Sequence, residues 1–464
     1  MPLSSGTAFS AGLAVGLAGA AAAYVLSEWR RRGRRRRSPR VPAESTIRLM
    51  TRLAMQHGAI NLSQGFPNEP PPAVMLCSAA GALLAGESAE SAAAMATRLD
   101  LMLRENLDRP GRRDVLNQYS IPCGYPPLRA QISAHYADYM PSVPADPEEN
   151  ITVVLGATEG FAVTLRALCE PGDAVVFFEP FHELYPSQCV IWGMQPRAVT
   201  LRECQLSGEW SYELCELRAA LRGARLLLFN SPHNPTGKVF NRVELDEIAA
   251  LCVELDVMVV TDEIYQFILF EEPAVKHRHY SLATRAGMLE RTCIVNAVSK
   301  SASATGWRIG WVISPKHLTP AIRACHDQLV VQAPTPLQFG AVTTLALGRK
   351  YFDAIAPDYQ AKRDVLAAAL RAAHFDVLAL PQGAYYLFVG FLNVPALKGL
   401  SPTQAVMCMI EEHGVACVPG DNFYLGKSKT DPETGGRYLR FAFVRSHDLL
   451  QAAITRLKAM PATA

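Results

Sequence analysis

The stretch Ile294–Ile313, IVNAVSKSASATGWRIGWVI, contains two apolar runs joined by a short polar connection. The runs predict two buried strands, and Lys300 lies just past the end of the first. Small residues flank this lysine, so we expect its ammonium group in a confined, partly desolvated place. Such burial lowers the pKa of a lysine and makes it usable as a nucleophile or base. The alternative is an ordinary surface lysine between two strands.

Arg308 follows Lys300 within the same stretch, beside Gly306 and Trp307. A guanidinium held there could bind a phosphate group through two parallel hydrogen bonds. The stretch therefore predicts an anion site next to the lysine.

Outward from this stretch, short apolar runs alternate with helical patterns. The runs are ITVVL (151–155), AVVFF (174–178), LLLF (226–229), VMVV (257–260), CIV (293–295) and IGWVI (309–313), with a helix predicted from Thr158 to Cys169. Such runs indicate strands that are buried on both faces of a mostly parallel sheet. The predicted fold class is α/β, a three-layer αβα large domain with a mixed, mostly parallel sheet plus a smaller α/β domain.

Several polar residues follow predicted strands. Gly156 begins a turn into a helix, where the N–H groups of Ala157 and Thr158 could bind an anion. Asp262 ends an apolar run, and a buried carboxylate there is costly without a cation partner. The alternatives are a plain turn for Gly156 and a helix N-cap for Asp262. Arg440 lies on an alternating strand, where it could equally be a sheet-surface arginine.

Seven motifs occur in a fixed order over residues 45–460: SQGFP, NQY, EPF, SPHNPTGKVF, TDEIY, SKSASATGWRIGW and YLRFAF. Together they resemble the class I/II (fold type I) pyridoxal-phosphate-dependent aminotransferases, with particular similarity to the kynurenine aminotransferase, glutamine transaminase K and methionine aminotransferase group. The resemblance implies an enzyme with pyridoxal 5′-phosphate as cofactor. It would move an amino group from an L-amino acid to a 2-oxo acid by a ping-pong mechanism.

The resemblance also implies roles for individual residues. Lys300 would hold the cofactor as an aldimine and act as general acid–base. Asp262 would keep the pyridine nitrogen protonated, so that the ring accepts electrons. Asn234 and Tyr265 would bond the 3′ oxygen of the cofactor, and Asn234 would also lie at the substrate. The remaining implied contacts are to the cofactor phosphate from Gly156, Ala157, Thr158, Arg308 and a partner subunit's Tyr119, to the cofactor ring from His182, and to the substrate from Gly65 and Arg440.

Four positions depart from the family pattern. His182 stands where an aromatic ring usually stacks on the cofactor, and its charge state could tune the ring. Ala297 replaces a serine that often binds the phosphate. Ile47 and Gln332 stand where kynurenine-type enzymes have tryptophan and histidine. Kynurenine specificity is therefore less secure than aminotransferase activity.

Two other functions remain open at this point. One is a cysteine-S-conjugate β-lyase on the same fold, which only product analysis would separate from an aminotransferase. The other is a non-catalytic scaffold that uses its basic tail, although the presence of Lys300 and Asp262 disfavours it.

The N-terminal region, residues 1–43, differs from the rest of the chain. It holds eight arginines against the single acid Glu28, whereas the whole chain of 464 residues carries +2, so residues 44–464 carry −5. The basic residues thus describe a tail, and we expect no binding to nucleic acid. The eleven cysteines form no metal-ligand pattern, and we expect no metal and no disulfide framework.

Residues 8–27 carry no charge and precede the arginine run 30–40. About twenty uncharged residues can just span a bilayer, which predicts a membrane anchor with the enzyme facing the cytosol. The alternatives are a cleaved organelle-targeting leader and a disordered tail. Membrane contact is expected only through this segment.

The predicted domains are a leader (1–43), an N-terminal segment of the small domain with a probable insertion (44–110), a large domain (111–345) and a C-terminal small domain (346–464). The family resemblance adds a homodimer.

Overall fold

A computed structural model of the chain describes residues 72–84, 90, 91, 93–98, 117, 119–204, 206, 208–272, 275, 276 and 278–461. Gly65, Ile47 and the whole leader, residues 1–43, lie outside the described residues. The predictions made for them therefore remain predictions.

In the described part of the chain, a seven-stranded sheet forms the larger core. Its strands are β1 (Ile151–Leu155), β2 (Ala174–Glu179), β3 (Gln195–Thr200), β4 (Leu226–Asn230), β5 (Met258–Asp262), β6 (Thr292–Ala297) and β7 (Ile309–Ile313). Across the sheet the order is β1–β7–β6–β5–β4–β2–β3. Strand β7 is antiparallel to β1 and β6, whereas the other neighbours are parallel. The predicted mixed, mostly parallel sheet is confirmed.

Helices cover both faces of this sheet. Along the described chain, on this sheet and elsewhere, lie the helices α1 (Ala73–Leu84), α2 (Pro126–Tyr139), α3 (Gly156–Leu168), α4 (Leu184–Ile191), α5 (Leu214–Leu221), α6 (Arg242–Glu254), α7 (Val298–Ser301), α8 (Thr319–Leu329), α9 (Thr335–Leu345), α10 (Gly348–Phe352), α11 (Ile355–Ala372), α12 (Pro402–Glu411) and α13 (His447–Lys458). Successive strand residues point to opposite faces, so Leu228 packs in a cluster with Phe161 of α3, while Leu227 packs in one with Leu245 of α6. The result is the predicted three-layer fold.

A second, smaller sheet follows along the chain. Its strands β8 (Tyr386–Gly390), β9 (Val418–Pro419) and β10 (Tyr438–Ala442) lie in the antiparallel order β8–β10–β9. Buried leucines of α11 and α13, Leu370 and Leu457, pack in one cluster with Leu387 and Phe441 of this sheet. The proposed domain boundaries at residues 110 and 345 stay predictions.

The localisation prediction is corrected by the helices. A membrane-crossing helix needs about 20 mostly apolar residues. Within the described residues no helix is long and apolar enough to cross a membrane; α11, with 18 residues, carries several charged side chains. The predicted membrane-anchored enzyme is thus unsupported. Residues 8–27, from which the anchor and the targeting leader were both inferred, lie outside the described residues.

Candidate active site

The carboxyl ends of three parallel strands, β4, β5 and β6, meet at one edge of the large sheet. Asn230 at the end of β4 is in register with Asp262 at the end of β5, and Val295 of β6 is in register with Asp262 on the other side. Lys300 follows β6 directly, in the one-turn helix α7. Ligands of open α/β sheets bind in the crevice outside such strand ends.

Asp262 is a fully buried carboxylate, 1% exposed. The hydroxyl of Tyr185 donates to its Oδ2 at 2.8 Å, and the N–H of Ile264 donates to its Oδ1 at 3.4 Å. Burial raises the pKa of Asp262 to about 6, while these hydrogen bonds and the charge of Lys300 oppose the rise. Among the described residues no lysine or arginine forms an ion pair with it.

Lys300 lies near a group of tyrosines at the edge of the small sheet. Its half-buried side chain places Nζ 5.8 Å from the ring centre of Tyr385. The Tyr385 ring packs edge-on against Tyr265 at 5.1 Å. The hydroxyl of Tyr265 lies 3.1 Å from that of Tyr386, and burial raises the pKa of Tyr265 well above its usual value. Tyr265 is therefore a neutral phenol.

Arg440 reaches from β10 of the small sheet towards the end of β4. Its Nη1 donates to Oδ1 of Asn234 at 3.0 Å. Its guanidinium lies over the rings of Tyr386, at 4.4 Å, and Phe423, at 4.8 Å. The Nε atom of Arg440 is buried and has no hydrogen-bond partner among the described residues. Asn234 is itself fixed, because its N–H donates to Oδ1 of Asn230 at 2.7 Å.

His182 lies between these groups. Its ring centre is 5.7 Å from that of Tyr185. Burial, together with the positive charges of Arg440 and Lys300, lowers the pKa of His182 to about 4, against the opposing effect of Glu183. The imidazole is therefore uncharged near neutral pH. Its Nδ1 is buried without a hydrogen-bond partner in the part of the chain that the structure describes.

The residues that were predicted to bind an anion come together where β1 passes into α3. Gly156 has a backbone φ of +72°, and a Cβ atom at this position would collide with the guanidinium of Arg308. Arg308 donates from Nη1 to the carbonyl oxygen of Thr305 at 3.0 Å and from Nη2 to Oγ1 of Thr158 at 3.4 Å. The guanidinium therefore lies against the N-terminus of α3, beside the N–H groups of Ala157 and Thr158.

The remaining positions named from the sequence are Ala297, Tyr119 and Gly65. Ala297, at the end of β6, is buried and brings no hydroxyl to the site. Tyr119 is 53% exposed in the loop before α2. Gly65 lies outside the described residues.

Sequence reasoning did not identify Tyr185, Tyr386 or Phe423 as parts of the site. Tyr185 had a usable signal, because it follows His182 by three residues in a segment that becomes helical. Tyr386 and Phe423 come from the small sheet and the loop after β9, and the local sequence carries no signal of their contact with Arg440.

Comparisons with known proteins identify the family of the chain. Residues 91–457 match the family model described as aminotransferase class I and II. Human kynurenine–oxoglutarate transaminase 1 is 30% identical over 430 residues, which cover 88% of this chain and 93% of the relative.

Two solved structures are similar in fold. N-succinyldiaminopimelate aminotransferase from Mycobacterium tuberculosis has a TM-score of 0.69 at 31% identity, covering 90% of this chain and 98% of its own. Bna3p, a putative kynurenine aminotransferase from Saccharomyces cerevisiae, has a TM-score of 0.69 at 27% identity, covering 89% and 93%. These relatives are transaminases by name, so the lyase alternative is not favoured. The chain belongs to the class I and II aminotransferases and is a pyridoxal-phosphate-dependent enzyme.

Proposed function

We propose that this aminotransferase holds pyridoxal phosphate at the carboxyl ends of β4, β5 and β6, with Lys300 as the catalytic residue. The observation that carries the proposal is Asp262, a buried carboxylate with no ion-pair partner among the described residues. A protonated pyridine nitrogen is a cation that would satisfy it.

The residues around Asp262 suit the rest of the cofactor. Because Gly156 has no side chain, the guanidinium of Arg308 can lie close to the backbone there; a Cβ atom would collide with it. The guanidinium and the nearby backbone N–H groups together suit a phosphate. The unpartnered Nδ1 of His182 and the buried hydroxyl of Tyr265 supply polar groups beside a planar ring. Asn234 keeps its Nδ2 available to donate, because Arg440 already binds its Oδ1.

When bound, the cofactor supplies an electron-accepting ring that makes the substrate α-carbon acidic. Arg440 binds the α-carboxylate through its guanidinium, which lies over the rings of Tyr386 and Phe423. Lys300 would act as general base towards the proton on the substrate α-carbon and as general acid towards C4′ of the cofactor, the atom to which transamination moves that proton. The carboxylate of Asp262 would stabilise the positive charge of the protonated ring nitrogen. His182 is uncharged and adds no charge to the site.

The substrates of aminotransferases are amino acids and 2-oxo acids. Human kynurenine–oxoglutarate transaminase 1 is named for kynurenine and oxoglutarate, which makes L-kynurenine with 2-oxoglutarate the first pair to test. Gln332 stands where kynurenine-type enzymes have a histidine, so other amino donors should be tested as well. The tests are initial rates of purified protein with a panel of L-amino acids and 2-oxo acids, with analysis of both products.

Lys300→Ala is the control for this panel. We expect it to lose both turnover and the near-visible absorbance of lysine-bound cofactor, because in the proposed site no second amine replaces Lys300. A variant that keeps both would show that the cofactor is held elsewhere. Formation of ammonia and pyruvate from a cysteine conjugate, without amino transfer, would support the β-lyase instead.

We further propose that the enzyme is a homodimer in which Tyr119 completes the partner's site. The support is its exposure, 53%, on a loop that a hydrogen bond of Ser120 to Gln332 fixes to the rest of the protein. An exposed tyrosine on a fixed loop is suited to contact a second chain.

A further inference from the structure

A buried histidine, His326, joins the loop that follows Tyr119 to the first turn of α3. Its side chain, on α8, is 0% exposed. Its Nε2 donates to the carbonyl oxygen of Pro122 at 2.9 Å, and its Nδ1 lies 2.8 Å from Oε1 of Glu159. Pro122 belongs to the loop of residues 119–125 before α2, which we call the Tyr119 loop, and Glu159 belongs to α3. One imidazole ring therefore holds two segments that are proposed to bind phosphate groups.

Glu159 also contacts the backbone, through its second carboxylate oxygen. Its Oε2 accepts a hydrogen bond at 2.7 Å from the N–H of Leu155, the last residue of β1. Gly156 comes next, with its left-handed backbone. The position of Glu159 therefore fixes the peptide immediately before the turn whose N–H groups face the proposed phosphate.

The charge of this pair also matters. A bare carboxylate in the first turn of α3 would repel a phosphate bound at the N-terminus of that helix. The carbonyl of Pro122 requires a proton on Nε2 of His326, and the 2.8 Å contact requires a second proton between Nδ1 and Glu159. Whichever of the two groups carries the second proton, the pair has no net charge. His326 thus removes a negative charge from the anion site.

A second contact fixes the same loop. Oε1 of Gln332 accepts from the hydroxyl of Ser120 at 2.9 Å, and its Nε2 donates to Thr335 at 3.2 Å. Val331, just before it, has a φ of +71°, which a β-branched residue rarely adopts. Its N–H donates to the carbonyl of His326 at 3.3 Å. The end of α8 and the turn after it therefore hold the Tyr119 loop at two points.

We propose that His326 is a positioning residue for phosphate binding, which aligns the β1–α3 turn of its own site and the Tyr119 loop directed at the partner's site. This inference rests on the proposed function. It does not require His326 to touch the cofactor, and its effect should be confined to the phosphate.

The test compares pyridoxal phosphate with pyridoxal, which lacks the phosphate, as ligands of the full chain freed of cofactor. His326→Asn keeps a donor near the Nδ1 position, and His326→Gln keeps one near the Nε2 position, so each variant breaks one of the two contacts. We expect each to bind pyridoxal phosphate about tenfold or more weakly, the loss typical of one hydrogen bond to a charged group. Affinity for pyridoxal should stay at the wild-type value.

His317→Gln is the matched control, because His317 lies just before the same helix but is exposed and pairs with Glu290. It should bind both compounds as the wild type does. Equal weakening of both compounds by the His326 variants would mean a general structural role and would overturn the inference, as would unchanged binding. Wild-type protein that binds neither compound would overturn the proposed function itself.

A second pair of variants tests the charge argument if the His326 variants fold poorly. Glu159→Gln can donate from its amide to Nδ1 of a neutral His326 and still accept from Leu155, so the pair stays uncharged. Glu159→Ala removes both contacts. We expect Glu159→Gln to bind pyridoxal phosphate at least tenfold more tightly than Glu159→Ala, by about the loss of one such hydrogen bond. Equal affinities of these two variants would contradict the inference.

Discussion

Burial and charge act against each other at Asp262. Desolvation raises its pKa from 3.8 to about 6, so the carboxylate is ionised near neutral pH at a cost to the folded protein. The folded chain holds this proton more tightly than the unfolded chain does. Stability without cofactor therefore falls as the pH rises from about 4 through about 6, and the loss persists above that range.

Asp262→Asn should remove this pH-dependent loss from the cofactor-free protein. A shift of about 2 pKa units corresponds to on the order of 3 kcal/mol, so the variant should be more stable than the wild type above about pH 6. The same variant should fold and bind the cofactor but slow proton transfer by several orders of magnitude, because the ring nitrogen loses its anion. Denaturant unfolding across this pH range and single-turnover kinetics measure the two effects.

Tyr185→Phe provides the companion measurement, because the hydroxyl of Tyr185 lowers the pKa of Asp262. Its removal should move the fall in stability to higher pH. Parallel pH profiles for wild type and Asp262→Asn would show that this carboxylate does not titrate as described.

At the scale of elements, the turn from β1 into α3 depends on a glycine. Gly156→Ala would place a side chain in the left-handed region, which costs about 1–2 kcal/mol, and would also displace Arg308. Gly223→Ala is the matched control, because Gly223 has a φ of +68° and an open space where its Cβ would lie. Both variants should lose similar stability in thermal unfolding, and only Gly156→Ala should lose affinity for pyridoxal phosphate. Equal affinities of the two variants for pyridoxal phosphate would show that this turn does not take part in phosphate binding.

The elements around Lys300 were predictable because their sequences are apolar and short. The run IGWVI became β7 with the predicted bounds, Asp262 ends a strand and Lys300 follows one, as expected. Strand β3, QPRAVT, was missed because it lies at the edge of the sheet, where half-exposed polar residues hide the strand pattern. The single turn of α7 around Lys300 was also missed, since four residues give no helical period.

The contacts within the site were harder to predict than its members. Arg440 and Asn234 are 206 residues apart, and Gln332 and Ser120 are 212 apart. The first pair depends on how the small sheet packs beside the large one, and the second on how the loop before α2 meets the turn after α8; no local pattern encodes either contact. The family resemblance supplied most of the proposed site residues but not Tyr185, Tyr386 or Phe423, and the contacts of His326 are visible only in the three-dimensional structure.

At the scale of the whole molecule, the proposed role of Tyr119 bears on whether one chain suffices for activity. If its loop completes the partner's phosphate site, a two-fold dimer with a self-complementary interface is the expected assembly. Sedimentation or light scattering of the purified enzyme measures this directly. A fully active monomer would contradict the proposal.

Mixed dimers give the sharper prediction about Tyr119. A chain with Lys300→Ala lacks its own catalytic lysine, and a chain with Tyr119→Phe withholds one phosphate hydrogen bond, of about 1.5–3 kcal/mol, from its partner. In a mixed dimer, one of the two sites combines a native Lys300 with a native Tyr119. We therefore expect that mixing the two purified variants restores activity above the sum of the separate preparations, by an amount set by how far Tyr119→Phe alone is impaired. Mixtures that show only the summed activity would place Tyr119 in its own chain's site or outside any site.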